Sequence, residues 1–236
     1  MSNERIKAWS YSRLVDFEQC KLRAKLKYID RIPEPARPLP PGKTEHANDR
    51  GTRIHDAAER FVRGGVELIP ELKAFSTEFL DLRNKYAHGM VSLEGEWAVN
   101  KDWEPVAWGD KDAWARIKLD AFVRLSKTHA VVIDYKTGKK FGNEIKHAEQ
   151  TQLYQLAAFL RYPELETIDV ELWYTDQDDL THMKYTRQQG MRFFQNFNRR
   201  GNAMTNATEF PPSPNVFACK WCPYGPRGTG DCDKGV

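Results

Sequence analysis

The residues best placed to do chemistry lie in two acidic segments, KLDAF around Asp120 and IDYKTGK beginning at Ile133, joined by the polar stretch Ser126, Lys127, Thr128. If that stretch turns on Lys127, residues equidistant from it face each other across a hairpin, and Asp120 and Asp134 each stand seven residues away. Their Cβ atoms would then be roughly 4.5–5.5 Å apart. Two carboxylates this close in an apolar sheet repel unless one takes up a proton or a cation lies between them. A divalent ion resolves the conflict, and oxygen ligands select hard ions such as Mg²⁺ or Mn²⁺. Lys136 falls on the face of Asp134, about 7 Å further along the strand. An ammonium there can orient a metal-bound water and offset charge on a phosphate, so the set suits phosphodiester hydrolysis. The competing reading is a hairpin with solvated charges, and a slip of one residue in the turn would send one aspartate to the opposite face.

The second chemical signal is the cysteines. Cys219 and Cys222 form a C-x2-C knuckle, Cys232 follows after nine residues, Cys20 lies near the other end, and none is left over. Four thiolates gathered from both ends suit either Zn²⁺ or an iron–sulfur cluster, and their spacing leaves the two open. Disulfides are the weaker reading. The opening residues MSNERIKAWSYS lack the apolar core of a secretory leader, and no run approaches the roughly 18 apolar residues of a membrane span, so a soluble, cytoplasmic protein in a reducing compartment is expected.

The elements that must position these groups follow from periodicity. Ser10 or Ser12 can cap a helix with Leu14, Phe17 and Cys20 facing inward. Ile54, Ala57, Ala58, Phe61 and Val62 mark an amphipathic helix ended by Gly64 and Gly65, with His55 and Glu59 on its flank. Leu72, Phe75, Phe79, Leu82 and Tyr86 mark another. Val91, Leu93, Trp97 and Val99 then alternate with Glu94 and Glu96 as on a strand, Glu96 being read as part of a solvated face. Between Ala113 and Leu125 the odd-numbered residues are expected on one face and Arg116, Lys118, Asp120, Phe122 and Arg124 on the other. Ala130 to Ile133 reads as a strand covered on both sides. A helix from about Ile145 to Tyr162 and a strand through Ile168, Val170, Leu172 and Tyr174 complete a parallel crossover. A last helix is expected near Met191 to Phe197.

Composition sets the bounds. With 236 residues, 40% hydrophobic and 29% charged, the chain suits one globular core rather than two, or disorder. With 36 basic and 33 acidic residues, any nucleic-acid surface must come from local clustering. The proline-rich stretch 32–49 is expected to loop over the site or to be mobile. Its Gly42, Lys43 and Thr44 do not complete a phosphate-binding loop, because Arg37 stands where that loop needs glycine.

In order along the chain, SYSRLVDFEQC, RGTRIH, KLDAF, IDYKTGK, QTQLY and CKWCPY resemble the motifs of the PD-(D/E)xK nuclease superfamily, in the RecB-like branch that includes CRISPR-associated and phage iron–sulfur exonucleases. The resemblance implies an α/β, restriction-endonuclease-like core, a mixed central sheet flanked by helices, with an iron–sulfur patch joining the two chain ends. It also implies a single nuclease domain over 1–236, divided into an N-terminal helix with the first cysteine (1–31), a catalytic core (91–175) and a closing cysteine segment (205–236). His55, Asp120, Asp134 and the backbone carbonyl of Tyr135 would ligate Mg²⁺ or Mn²⁺, with Lys136 as the catalytic lysine. Gln150 and Tyr154 would contact the DNA backbone. Cys20, Cys219, Cys222 and Cys232 would hold a 4Fe-4S cluster, Zn²⁺ being the alternative. The gap before Cys232, containing GPRGTG, is wider than the usual pattern. The implied function is a metal-dependent exonuclease acting on DNA ends or single strands; the alternatives are an endonuclease of the same fold and a non-catalytic DNA-binding scaffold. The implied partner is DNA, without a membrane, as a homo-oligomer or with repair, recombination or CRISPR proteins.

Overall fold

The structure, a computed structural model, describes residues 5–236. A six-stranded mixed sheet runs in the order β2-β1-β3-β4-β5-β6. Its strands are β1 (Val91–Val99), β2 (Pro105–Val106), β3 (Ala115–Arg124), β4 (His129–Lys136), β5 (Thr167–Tyr174) and β6 (Asp179–Thr186). All neighbours are antiparallel except β4 and β5, whose parallel pairing is made by the crossover helix α5 (Glu144–Arg161). The expectation of a mixed sheet with a crossover after the second acidic motif agrees with this. Edge strand β6 has no counterpart in the sequence pattern, because DLTHMKYT alternates only between half-buried and exposed and carries no strong apolar signal.

Each sheet face has its own core. On one side lie α1 (Tyr11–Gln19), α2 (Lys21–Tyr28), α5 and α7 (Phe194–Thr205), burying Trp9, Leu14, Phe17, Trp114, Phe159 and Phe197. Ser10 caps α1 by accepting from the Arg13 amide. On the other side α3 (Ala47–Val62) and α4 (Ser76–Ala87), which follows a 3-10 turn at Pro70–Phe75, bury Ile54, Phe61, Phe79 and Leu82 against Ile133 and Trp173. The terminal helix expected near Met191 to Phe197 is instead two: short α6 (Arg187–Met191), then α7.

Simple alternation along β1 and β3 does not hold. Trp97, Val99, Ala115, Ile117 and Leu119 pack into the first core, yet Val91, Leu93, Ala121 and Val123 pack into the second, and Phe122 returns to the first. Both strands therefore exchange faces near Glu94 and Asp120. The pairing of β1 with β3 skips this one position while keeping its register on either side. Glu94 takes the left-handed conformation at φ 49°, unusual for a residue with a Cβ, and at the Gly95 that follows a Cβ would stand 3.3 Å from Trp97 Nε1. The expected single-face pattern from Ala113 to Leu125 is thus corrected: the period is interrupted at the acidic residue.

The same place is a fork. The β3–β4 ladder pairs Arg124 with Ala130 through Ala121 with Ile133 and stops, the register of a turn centred on Lys127. Beyond it β3 continues along β1 as far as Ala115, while β4 continues along β5 as far as Lys136. The N-terminal segment closes the far end of the gap through a parallel bridge between Trp9 and Ala115.

That bridge rests on an aromatic cluster of Trp9, Trp103 and Trp114, and α7 approaches it through Gly201. A Cβ at Gly201 would stand 2.5 Å from Trp9 Nε1 and 2.8 Å from the Trp114 ring. In a free helix, Gly→Ala gains about 1 kcal/mol, whereas overpacking a core costs about 1–3 kcal/mol. Gly201→Ala should therefore lower stability by about 1 kcal/mol, read as a shift in urea midpoint; a stabilised variant would show that the tryptophans do not fix the position of α7.

Candidate active site

The fork opens into a cleft of ≈ 650 Å³ lined by Tyr11, His55, Glu94, Arg116, Asp120, Asp134, Lys136, Gln150 and Tyr154 among others. Asp120 and Asp134, each one residue beyond the end of the shared ladder on β3 and β4, are 8% and 4% exposed. Asp120 Oδ2 accepts the Tyr135 amide at 2.6 Å, and its Oδ1 lies 2.9 Å from His55 Nδ1 on α3. Burial, and then the charge of Asp134, push the Asp120 carboxyl above the ordinary range. His55 moves upward as well: burial opposes its charged form, but the hydrogen bond and charge of Asp120, with Asp134 and Glu94 behind, outweigh it.

Asp134 belongs to a closed ring of side chains. Lys136 Nζ stands 2.6 Å from Asp134 Oδ2 and donates to Gln150 Oε1 at 2.7 Å. Gln150 Nε2 donates to the Tyr154 hydroxyl, which donates to Asp134 Oδ1 at 3.0 Å. Gln150 and Tyr154 are one turn apart on α5, so a single rigid helix face holds the lysine and the aspartate together. Desolvation and the two carboxylates hold the Tyr154 phenol far above its ordinary range, so it stays a donor. Helix α5 is anchored in turn by Glu149, which receives Tyr11 Oη at 3.2 Å and Arg200 Nη1 at 3.1 Å, while Arg200 also grips Glu18 of α1. The Tyr135 side chain turns to the second core, where its hydroxyl is buried without a partner.

The sequence profile of the PD-(D/E)XK nuclease superfamily matches residues 8–227. The chain belongs to that superfamily. Its fold agrees: the crystal structure of SSO0001 is similar over 98% of this chain and 87% of that one, with a TM-score of 0.52 and 15% identity. An alkaline exonuclease from Laribacter hongkongensis is similar over 86% of this chain and 89% of that one, with a TM-score of 0.35 and 12% identity. Among curated proteins the sequence has no match.

PD-(D/E)XK nucleases use divalent metals, and the donor set here fits one. Ligand atoms of His55, Glu94 and Asp120 all lie within 4.8 Å of one another, and Asp134 Oδ2, though near the lysine, is buried without an aligned hydrogen bond. Oxygen donors with one imidazole suit Mg²⁺ or Mn²⁺. A solvated face holds for Glu96, which is exposed, but not for Glu94, whose place in the metal group alternation alone does not reveal. The signal that could have found it is Gly95, a glycine inside a strand, where alternation is liable to break and re-aim a neighbour.

Cys20, at the junction of α1 and α2, lines a separate cavity with Cys219, Cys222 and Cys232 and sits outside the apolar core expected for it. The wide gap before Cys232 is folded into turns. Gly228 packs where any Cβ would lie 1.9 Å from the Pro223 carbonyl oxygen, and the Cys232 amide donates to Tyr224 O. The stretch 32–49 does not line the cleft; Arg37 instead donates to the Trp221 carbonyl in the tail.

His147, on α5 one turn before Thr151, lies 2.9 Å from the Tyr174 hydroxyl, and burial, then the charge of Lys136, lowers its pKa to about 4. The unfolded chain binds this proton near 6.5, the ordinary imidazole value, so the stability the neutral ring contributes is full above that pH and is lost as pH falls from there toward about 4. His147→Asn should therefore flatten the fall in melting temperature across this window; an unchanged slope would place the loss on carboxylates alone.

Proposed function

We propose that the protein is a Mg²⁺- or Mn²⁺-dependent deoxyribonuclease, an exonuclease acting on DNA ends or single strands with water as nucleophile. The observation that carries this reading is the pair of buried Asp134 with Lys136 set directly beside the Asp120–His55–Glu94 group, where β3 and β4 part. His55, Asp120, Asp134 and the Tyr135 carbonyl hold the ion, with Glu94 beside them, and a bound ion there supplies Lewis-acid stabilisation of the phosphate and a more acidic water. Lys136, fixed by Asp134 and Gln150, presents its ammonium to the attacking oxygen and the phosphate. Gln150 and Tyr154 maintain that position and meet the DNA backbone along the same wall. The whole chain acts as one nuclease domain in the cytoplasm.

We also propose that Cys20, Cys219, Cys222 and Cys232 hold a 4Fe-4S cluster. Supporting it, all four line one cavity from opposite chain ends.

Asp134→Ala should abolish Mn²⁺-supported cleavage while leaving the fold and DNA binding intact, and Lys136→Met should slow it by about 10²–10³-fold; nuclease activity persisting in clean Asp134→Ala protein would refute the mechanism. Linear DNA should be degraded and closed circles spared, whereas cutting of circles would assign an endonuclease. Anaerobically purified protein should contain iron and acid-labile sulfide, lost together with thermal stability in Cys222→Ser; stoichiometric zinc in their place would overturn the cluster.

A further inference from the structure

The outer side of the N-terminal segment forms one wall of a second, larger groove of ≈ 1400 Å³. Eight of its lining residues are Lys or Arg and one, Asp110, is acidic, in a chain whose totals are 36 and 33. The charge of this surface is therefore concentrated, as a polyanion site requires, in a protein that is nearly neutral overall. Three of the eight are engaged: Arg13 over the Tyr28 ring at 4.8 Å, Lys27 with Asp16 and Glu34, and Arg116 through Trp108 O. The other five, Arg5, Lys7, Arg31, Lys101 and Lys111, are exposed, and none has a carboxylate within 4.0 Å among the described residues. Gathered cations without counter-charges repel one another, and a phosphate backbone relieves that repulsion.

The groove is connected to the cleft. Arg116 lines both, where the Trp9–Ala115 bridge closes the fork. We propose that this groove carries the phosphodiester backbone of the DNA strand whose scissile bond lies in the cleft, the strand passing Arg116 and running along Lys7, Arg31, Lys101 and Lys111. The proposal rests on the nuclease reading and adds the path of the substrate.

The test compares oligonucleotides too short to leave the cleft with single strands several times longer, using wild-type protein and the triple variant Lys7→Glu/Lys101→Glu/Lys111→Glu. Binding is measured by fluorescence anisotropy over a salt series, in an Asp134→Asn background, and cleavage in the native background with Mn²⁺. The triple variant should bind the long strand at least about tenfold more weakly, with the salt slope reduced by about 2, as expected for three lost phosphate contacts at about 0.7 each. Cleavage of the short oligonucleotide and the melting temperature should be unchanged, and the Lys→Gln triple, which should shift the same way, serves if charge reversal unfolds the chain. Equal affinity and slope for the long strand would overturn the groove while leaving the nuclease reading standing. Failure of the wild type to cleave any of the DNAs would overturn the nuclease reading itself.

Discussion

Two carboxylates survive in the interior of this protein because β3 and β4 separate where those carboxylates stand. Inside a continuous ladder they would face each other in an apolar layer, desolvated and mutually repelling, an arrangement that costs several kcal/mol per uncompensated charge. At the fork each is given its own partners. Asp120 takes the Tyr135 amide and His55 from the α3 side; Asp134 takes Tyr154 and Lys136 from the α5 side. The exchange of faces in β1 and β3 belongs to the same solution. It brings Glu94 to the cleft and leaves Asp120 at the boundary between the two cores.

The rest of the molecule keeps that fork open and rigid. The Trp9–Ala115 bridge fixes the N-terminal segment at the far end of the gap, and the tryptophan cluster with α7 behind it holds the bridge. Arg200 clamps α1 and α5 from α7 through Glu18 and Glu149, so the helix face bearing Gln150 and Tyr154 cannot slide relative to the strand bearing Asp134 and Lys136. At the opposite extreme of the chain, the closing turns carry Cys219, Cys222 and Cys232 to the α1–α2 junction. A cofactor there would tie the N-terminal helices that line the cleft to the C-terminal tail.

Much of this is legible in the residues because its causes are local. The hairpin register follows from a short polar turn and the equal spacing of Asp120 and Asp134 about Lys127, and the β3–β4 pairs have that register. Amphipathic repeats locate α3, α4 and α5 because apolar burial imposes the helical period directly. Edge strand β6 escapes such reading because one-sided, half-exposed pairing needs no apolar run. The break in alternation at Glu94 and Asp120 escapes it because the odd-numbered positions of β3 stay apolar on both sides of the break, with small and aliphatic residues that fit either core.

The sequence by itself determined the inventory: a pair of aspartates with a lysine two residues on, a glutamine and tyrosine one helical turn apart, four cysteines split between the ends, and a near balance of charge. These are properties of spacing, and spacing is fixed by covalent geometry and the repeats of helix and strand. Only the tertiary structure decided that Glu94 rather than Glu96 joins His55 and Asp120, that the glutamine–tyrosine pair closes a ring on Asp134 and Lys136, and that five cations with no carboxylate partner among the described residues share one groove. Each of those depends on where two separate elements meet, and such meetings are set by the packing of two cores against one forked sheet, which no local periodicity encodes.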